Sequence, residues 1–293
     1  MSAARKTDVL IVSAFTADGE GGNPAGVVLE ADRYSPAEKQ AIAAAVGLSE
    51  TAFVSRSNVA TLKLEFFTPR RQIAHCGHAT IATFGIMGAM GRLTDGRHSK
   101  ETIDGLRDVW VEGPRAAMRQ LAPRYRAVDA PAVLQALGVP FNALDPRFGP
   151  VRVDTGNGFV LVGLRSAEAL QALTPDMARL TALSEGDDLV GFYVFTTAAP
   201  AGFDATARMF APRYGINEES ATGMAAGPLA GLLHERGDPR TAFAIEQGRF
   251  MPSPSPSRLE ACIDVEDGVV RSVTVSGLAK LVMARSISWR AAA

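Results

Sequence analysis

The sequence predicts a mixed α/β (α+β) protein of two similar domains, each a mostly antiparallel sheet around one apolar helix. Strand-like segments outnumber helical ones, which favours antiparallel pairing. In addition, FFTPRRQIAHCGHATIAT at 66–83 and MFAPRYGINEESATGMAAG at 209–227 share one pattern. Each has an aromatic residue, a small residue and a proline, then a polar loop, then a glycine that opens an Ala-rich segment. Such a repeat indicates a duplicated unit.

The first half begins with two predicted strands, DVLIVSAF and GVVLEA, joined through the turn GEGGNPAG. SPAEKQAIAAAVG then predicts a helix with Ser35 as N-cap, Pro36 at its first position and Gly47 closing it. SETAFVSRS and ATLKLEFFTP are further strand candidates. The segment from Gly77 to Met90 predicts a helix that lacks a charged face, so we expect it to be buried almost all round.

Residues 91–125 are less regular, with predicted strands at LRDVWVEG and AAMRQLAP. A new helical pattern, PAVLQALGV, starts at residue 131. We therefore place the domain boundary nearby, which gives domains 1–127 and 128–293. Whether the last strand returns to the first domain stays open.

The second half follows the same order. VRVDTGNGFVLVGL predicts two strands around a Gly-Asn turn, and SAEALQALTPDMARLTAL predicts a helical region broken at Pro175. GFYVFTTA and FDATARMFAP are predicted strands, and Gly223 to Arg236 is a second apolar helix. Four strands are predicted after it: AFAIEQG, RLEACIDVEDG, VVRSVTVSG and AKLVMARSISW. MPSPSPS is predicted to be a surface loop.

Composition narrows the class of function. Of 293 residues, 47% are hydrophobic and 21% charged, which is typical of a soluble globular protein. The net charge of −1 disfavours nucleic acid and anionic membrane as partners. The longest apolar stretch, Ala79 to Met90, is too short to span a bilayer. Two cysteines and no recognisable secretory leader indicate a cytoplasmic protein, with a small molecule as its expected ligand.

The two glycine-opened helices suggest where that ligand binds. The first amides of a helix lack intrahelical partners and attract anions, so Gly77 and Gly223 are candidates to bind a carboxylate. The alternative that both glycines only allow tight turns stays open.

Several side chains near these glycines are candidates for catalysis. His75, Cys76 and His78 do not have a zinc-site spacing, so we expect no metal and an acid/base or ligand-binding histidine instead. Glu50, placed just before an apolar strand, is suited to proton transfer if it is buried. Glu218 and Glu219 precede the second helix, and the alternative that one of them only caps its amides stays open.

In their order, GGNPAGVVL, SETAFV, FFTP…HCGHATIAT, DTGNGFVLV, GFYVFTT, ARMFAP…NEESATGMAA and IEQG resemble the signature of the PhzF-like proteins, the family of the phenazine-biosynthesis isomerase. The resemblance runs from about residue 8 to 285. It implies the diaminopimelate-epimerase fold: two similar domains, each a curved sheet around a central helix, with the active site between them.

The resemblance also implies roles for individual residues. Glu50 corresponds to the glutamate that removes a proton from one substrate carbon and returns it to another. His78 and Glu219 correspond to residues that orient the ligand or assist protonation. Glu219 replaces the family's usual Asp, and Met224 replaces a Ser, which favours a less polar substrate. The residues implied to contact substrate are Asn23, Gly77, Thr222, Gly223, Met224, Gln247 and Gly248.

The function implied is a cofactor-independent isomerase that moves a proton on a small amino or cyclic carboxylic acid. Epimerases of this fold use two facing cysteines as paired acid and base, whereas the matching positions here are Cys76 and Thr222. A hydroxyl is hard to ionise, so a symmetric two-base epimerase is disfavoured. A racemase or lyase on this fold, and a ligand-binding protein that has lost activity, stay open as alternatives. The resemblance also implies a homodimer.

Overall fold

The computed structural model describes residues 4–290, and the chain forms two compact units. The first unit comprises the residues up to Gly19, Asn23–Met118 and the residues from Ser276 onward, and the second comprises Glu20–Gly22 and Arg119–Val275. The division into domains 1–127 and 128–293 stays a prediction.

The first unit is a sheet that surrounds one buried helix. Its elements are β1 (Arg5–Ala14), β2 (Asn23–Val28), α1 (Pro36–Val46), β3 (Thr51–Ser55), β4 (Leu62–Phe67), β5 (Gln72–Ile73), α2 (Gly77–Ala89), β6 (Gly96–Thr102), β7 (Gly105–Glu112), most of β8 (Arg115–Leu121) and the end of β17 (Val269–Trp289). Strands pair in the order β17–β1–β2–β3–β4–β6–β7–β8, and β5 pairs with β4. A further pairing between β8 and β17 closes the sheet.

Helix α2 is buried as its sequence predicts. Every residue from Gly77 to Ile86 is buried. The hydroxyls of Thr80 and Thr83 donate to carbonyls four residues earlier, each at 2.7 Å, which satisfies these buried polar groups within the helix. A Cβ on Gly85 would lie 2.5 Å from the Pro114 carbonyl oxygen. Glycine therefore lets α2 pack directly against backbone, and the helix is held closely inside the sheet.

The second unit repeats this architecture. It contains β9 (Arg124–Ala127), α3 (Ala130–Leu137), β10 (Val151–Asp154), β11 (Gly158–Leu164), α4 (Ala167–Gln171), α5 (Met177–Gly186), β12 (Gly191–Thr196), β13 (Ala205–Ala211), β14 (Ile216–Glu219), α6 (Gly223–Arg236), β15 (Ala242–Gln247), β16 (Ser257–Glu266) and the start of β17. Strands pair in the order β9–β10–β11–β12–β13–β15–β16, and β14 pairs with β13.

The predicted duplication is visible in the strand directions. In the first unit β1–β2 is antiparallel, β2–β3 parallel, β3–β4 antiparallel and β4–β6 parallel. In the second unit β10–β11, β11–β12, β12–β13 and β13–β15 have the same directions in the same order. One buried helix follows the short strand in each half, α2 after β5 and α6 after β14. The predicted fold class is therefore confirmed.

The two strands predicted at the end of the chain are instead one continuous strand, β17. The predicted end of a strand at Gly277 is wrong, because this glycine lies within the strand and allows close packing of another residue. A Cβ there would lie 2.3 Å from the Phe15 ring, so the absent side chain makes room for an aromatic residue. Among residues 4–290, no helix combines the length and apolar character that crossing a membrane requires.

Candidate active site

Glu50, Cys76 and His78 form one buried group in the first unit, here called the acid–base cluster. Glu50 lies between α1 and β3 and is 6% exposed, and His78 is the second residue of α2 and is 4% exposed. Oε2 of Glu50 lies 3.3 Å from Nε2 of His78. The sequence-predicted acid and histidine are thus in contact, in a setting where little water competes for the proton.

The imidazole of His78 lies between the other two members of the acid–base cluster. Its Nδ1 is 3.6 Å from Sγ of Cys76, while Nε2 faces Glu50. One ligand atom from each of the three residues lies within 4.8 Å of the other two, and opposite nitrogens of the ring face the two partners. The arrangement is suited to holding or transferring protons, and the expectation of no metal stays a prediction.

The first turn of α2 lies beside the acid–base cluster. Its N-cap residue, Cys76, makes no side-chain capping hydrogen bond, and the described first turn contains no acidic residue. The amides at the start of a helix favour a negative charge. This turn, which includes Gly77, therefore has the character that a carboxylate group of a ligand requires.

Sequence reasoning missed Lys100, which is 0% exposed on β6. Its Nζ donates to Oγ1 of Thr80 at 2.7 Å and lies 3.4 Å from Nδ1 of His75. Burial lowers the pKa of Lys100 to about 7. Burial also lowers the pKa of His75 to about 3, with the charge of Lys100 contributing. His75 is therefore neutral near neutral pH.

A second group, the Gln247 clamp, consists of Glu219, Thr222 and Gln247 in the second unit. Gln247 is 0% exposed and accepts a hydrogen bond from the Thr222 amide at 3.0 Å. Its amide nitrogen donates to the Glu219 carbonyl at 2.6 Å and to the Thr222 hydroxyl at 3.1 Å. The Thr222 hydroxyl donates to the Glu219 carboxylate. The clamp thus fixes the entry to α6 and orients the carboxylate that the sequence singles out.

Tyr193 supports the Gln247 clamp from β12. Its hydroxyl donates to Oε1 of Gln247 at 2.9 Å. Burial raises the pKa of Tyr193, and the nearby carboxylates of Glu246 and Glu219 add to this shift. Tyr193 is therefore a neutral donor. The sequence offered no signal for this role, because GFYVFT reads as an ordinary buried strand.

The neighbouring acid, Glu218, has a different role. Its carboxylate accepts two hydrogen bonds from Arg208, at 2.9 and 2.8 Å. The same guanidinium donates to the carbonyl of Leu170 at 3.2 Å, near the end of α4. Glu218 thus pairs with a structural arginine, whereas the Glu219 carboxylate accepts a hydrogen bond from the Thr222 side chain. The alternative that Glu219 also caps α6 stays open.

The other residues predicted to contact substrate lie in different structural environments. Asn23 is 4% exposed and begins β2. Gly223 begins α6, and its carbonyl accepts a hydrogen bond from Gln120 at 2.8 Å. Sδ of Met224 lies 3.5 Å from Nδ2 of Asn157. Gly248 has a φ of 88°, a left-handed conformation that favours glycine, so the glycine there is explained by the backbone alone.

Comparison with known proteins identifies the family of the chain. Residues 12–285 match the family described as phenazine biosynthesis-like protein, PhzC-PhzF. The chain is 32% identical over 288 residues to the uncharacterized isomerase YddE of Escherichia coli O157:H7, covering 94% of this chain and 96% of that protein. It is 33% identical over 276 residues to trans-2,3-dihydro-3-hydroxyanthranilate isomerase of Pseudomonas fluorescens, covering 92% and 94%.

A solved structure shows the same fold. The PhzF-family phenazine biosynthesis protein of Bacillus anthracis matches with a TM-score of 0.88 and 25% identity, covering 97% of this chain and 99% of that one. The resemblance seen in the sequence is confirmed over nearly its whole extent. Since the family match spans residues 12–285 and the full-length relatives are named isomerases, this chain belongs to the phenazine biosynthesis-like family and is an isomerase.

Proposed function

We propose that this protein is a cofactor-independent isomerase that moves a proton between two carbons of a small amino or cyclic carboxylic acid. The observation that supports this most strongly is the buried contact between Glu50 and His78, whose Oε2 and Nε2 atoms lie 3.3 Å apart. A buried carboxylate oriented by a histidine is a suitable general base. The substrate in the name of the Pseudomonas fluorescens relative is itself an amino carboxylic acid.

The proposed reaction consists of the transfer of one proton and the displacement of one double bond within the substrate. The Glu50 carboxylate accepts the proton of a substrate C–H bond, and that electron pair becomes part of a double bond displaced along the carbon chain. Protonated Glu50 then donates the same proton to the carbon that has become electron-rich. Substrate and product have equal electron counts, so the step requires no redox cofactor. His78 holds the carboxylate of Glu50 throughout.

The substrate carboxylate is proposed to bind the first-turn amides of α2 at Gly77 and His78, where a helix favours an anion. In the second unit, Glu219 is proposed to orient a ligand group or to assist protonation, held by the Thr222 hydroxyl. The thioether of Met224 beside Asn157 favours a less polar substrate than a serine hydroxyl would.

The test is deuterium uptake from D₂O, measured by mass spectrometry. The panel contains trans-2,3-dihydro-3-hydroxyanthranilate and other amino and cyclic carboxylic acids. Wild type is compared with Glu50→Gln and with Glu112→Gln, which changes an exposed glutamate at the end of β7. We expect uptake or isomerisation in wild type and Glu112→Gln, and none in Glu50→Gln. Unchanged turnover in Glu50→Gln would refute the assignment of the base.

The same samples separate the alternatives. Inverted stereochemistry at a single carbon, seen by chiral chromatography, would indicate a racemase. A product that has lost water or a fragment would indicate a lyase. Calorimetric binding of a panel member with neither deuterium uptake nor isomerisation would indicate a ligand-binding protein.

We also propose a homodimer and a cytoplasmic location. Residues 280–286 of β17 are exposed on both faces of the strand. Among them, Leu281, Val282 and Met283 are 42%, 53% and 48% exposed. Consecutive exposed apolar residues of this kind mark a contact surface, and a second copy of the chain is the proposed occupant. Both cysteines are free thiols in the structure, as expected in a reducing compartment.

A further inference from the structure

Lys100 is the one completely buried amine described in residues 4–290 that the proposed reaction does not use. Lysine is rarely buried without a reason, because removing an ammonium group from water is costly. Its Nζ lies 2.7 Å from Oγ1 of Thr80, 3.9 Å from Sδ of Met118 and 5.3 Å from the centre of the Phe66 ring. These neighbours satisfy the ammonium only in part, so the chain bears a cost in stability at this position.

A continuous set of contacts joins Lys100 to the acid–base cluster. Thr80, which accepts from Lys100, donates its own proton to the Cys76 carbonyl at 2.7 Å. Sγ of Cys76 lies 3.6 Å from Nδ1 of His78, and His78 in turn contacts Glu50. Each link is buried, so a change at Lys100 is transmitted to the first turn of α2 with little screening by water.

We propose that Lys100 is a positioning residue for Glu50 and His78: its ammonium group holds the first turn of α2 through Thr80 and supplies positive charge beside Cys76. This inference rests on the proposed function in that Glu50 and His78 carry the proton transfer. Lys100 itself does not contact the reacting atoms.

The charge of Lys100 depends on pH in the physiological range. Burial lowers its pKa to about 7, the charges of Cys76 and Asp104 oppose this shift, and Arg107 adds to it. His75, 3.4 Å away, stays neutral because its own pKa is about 3. As pH rises through about 7, the ammonium loses its proton, and the support for the first turn of α2 weakens.

The first measurement uses no substrate. Backbone amide resonances of residues 76–80 are followed by ¹⁵N NMR from about pH 5.5 to about pH 8.5. The proteins are wild type, Lys100→Met, and Lys63→Met as a matched control on the neighbouring strand β4. We expect a transition near pH 7 in wild type and Lys63→Met, and its loss in Lys100→Met. Since His78 is present in all three proteins, a transition lost only in Lys100→Met belongs to Lys100. A transition that persists in Lys100→Met would overturn the inference.

The second measurement is the pH profile of kcat/KM with the substrate identified above. In Lys100→Met we expect a loss of about tenfold or more at pH 6.5, since small displacements of catalytic groups are costly, and no further decline near pH 7. Thr80→Val should lose activity similarly, and Thr80→Ser, which keeps the hydroxyl, should restore it. An unchanged wild-type profile in Lys100→Met would also overturn the inference. If no substrate is turned over at all, the proposed function fails, and the NMR transition alone decides the role of Lys100.

Discussion

Nε2 of His78 lies 3.3 Å from Oε2 of Glu50, with both side chains buried at the start of α2. Glu50→Gln would therefore remove the proposed general base with little change in side-chain volume. Removing a general base typically costs about 10²- to 10⁴-fold in rate. We expect kcat to fall by that factor in steady-state assays, while the Kd of 3-hydroxyanthranilate, a stable aromatic analogue, changes by less than about threefold. A comparable loss of affinity would instead indicate that Glu50 binds substrate.

We expect Glu218→Gln to lower mainly the stability of the protein and Glu219→Gln to lower mainly its activity. Glu218→Gln leaves the buried Arg208 without its charged partner, so we expect a loss of about 3 kcal/mol in the free energy of unfolding. Glu219→Gln keeps a hydrogen-bond acceptor for Thr222, so stability should change by less than about 1 kcal/mol while activity falls. Urea denaturation and steady-state kinetics on both variants check this. If Glu219→Gln lost stability and Glu218→Gln lost only activity, the roles assigned to the two acids would be reversed.

Gln247→Leu tests the clamp at the start of α6. The change leaves the Thr222 amide and the Tyr193 hydroxyl without their acceptor, at a cost of about 1 to 3 kcal/mol for each buried group. We therefore expect a lower melting temperature and a raised KM. Gln171→Leu, at an exposed position in α4, is the control and should alter neither quantity.

Lys100→Met should be more stable than wild type at low pH. The pKa of Lys100 in the folded protein, about 7, lies below the ordinary lysine value of 10.5, so the unfolded chain binds more protons between these values and wild-type stability rises with pH there. Below pH 7 the full cost of burying the charge is present. Since each pH unit corresponds to about 1.4 kcal/mol, the gain at pH 6 is at most about 5 kcal/mol, less the lost hydrogen bonds.

The gain from Lys100→Met should shrink to at most about 1.4 kcal/mol by pH 9.5, less the lost hydrogen bonds. Urea denaturation at the two pH values measures it, with Lys63→Met as the control. A variant that is less stable than wild type at pH 6 would show that Lys100 is held by interactions stronger than its desolvation cost.

Val282→Lys tests the proposed dimer. A charge in the exposed apolar segment Leu281–Met283 should disfavour a self-contact that buries it, with little effect on folding because the position is 53% exposed. We expect wild type to have the mass of a dimer by light scattering and the variant to have that of a monomer. A monomeric wild type would contradict the proposal directly.

The sequence predicted the large features of the fold because they recur. The Gly-Asn turns, the F-x-P segments and the two glycine-opened helices mark equivalent points of two halves, and the strand directions repeat accordingly. Short strands were missed for a physical reason. β5 and β14 contain two and four residues, too few to show a period of two, and they form only because β4 and β13 offer paired edges.

Within the site, charged residues next to a recognisable motif could be predicted from the sequence. The buried residues that contact them could not. Glu50 and His78 stand in local patterns that suggest chemistry. Lys100 lies in GRHSKET, which reads as a polar, exposed segment. It is buried only because β6 pairs with β4, far away in sequence. Tyr193 likewise reads as core, and its contact with Gln247 depends on residues that come together only in the folded unit.

The position of the His78 ring between Glu50 and Cys76 bears on where the acid–base cluster can hold a negative charge. With a proton on Nε2, the imidazole presents that proton to a Glu50 carboxylate and accepts from the Cys76 thiol. With a proton on Nδ1, it donates to a Cys76 thiolate and accepts from a Glu50 carboxylic acid. These two forms of the cluster differ by the shift of two protons and have the same net charge. Because the ring nitrogens lie 3.3 and 3.6 Å from their partners, an exchange between these forms would move negative charge from carboxylate to sulfur without any ion entering or leaving the interior.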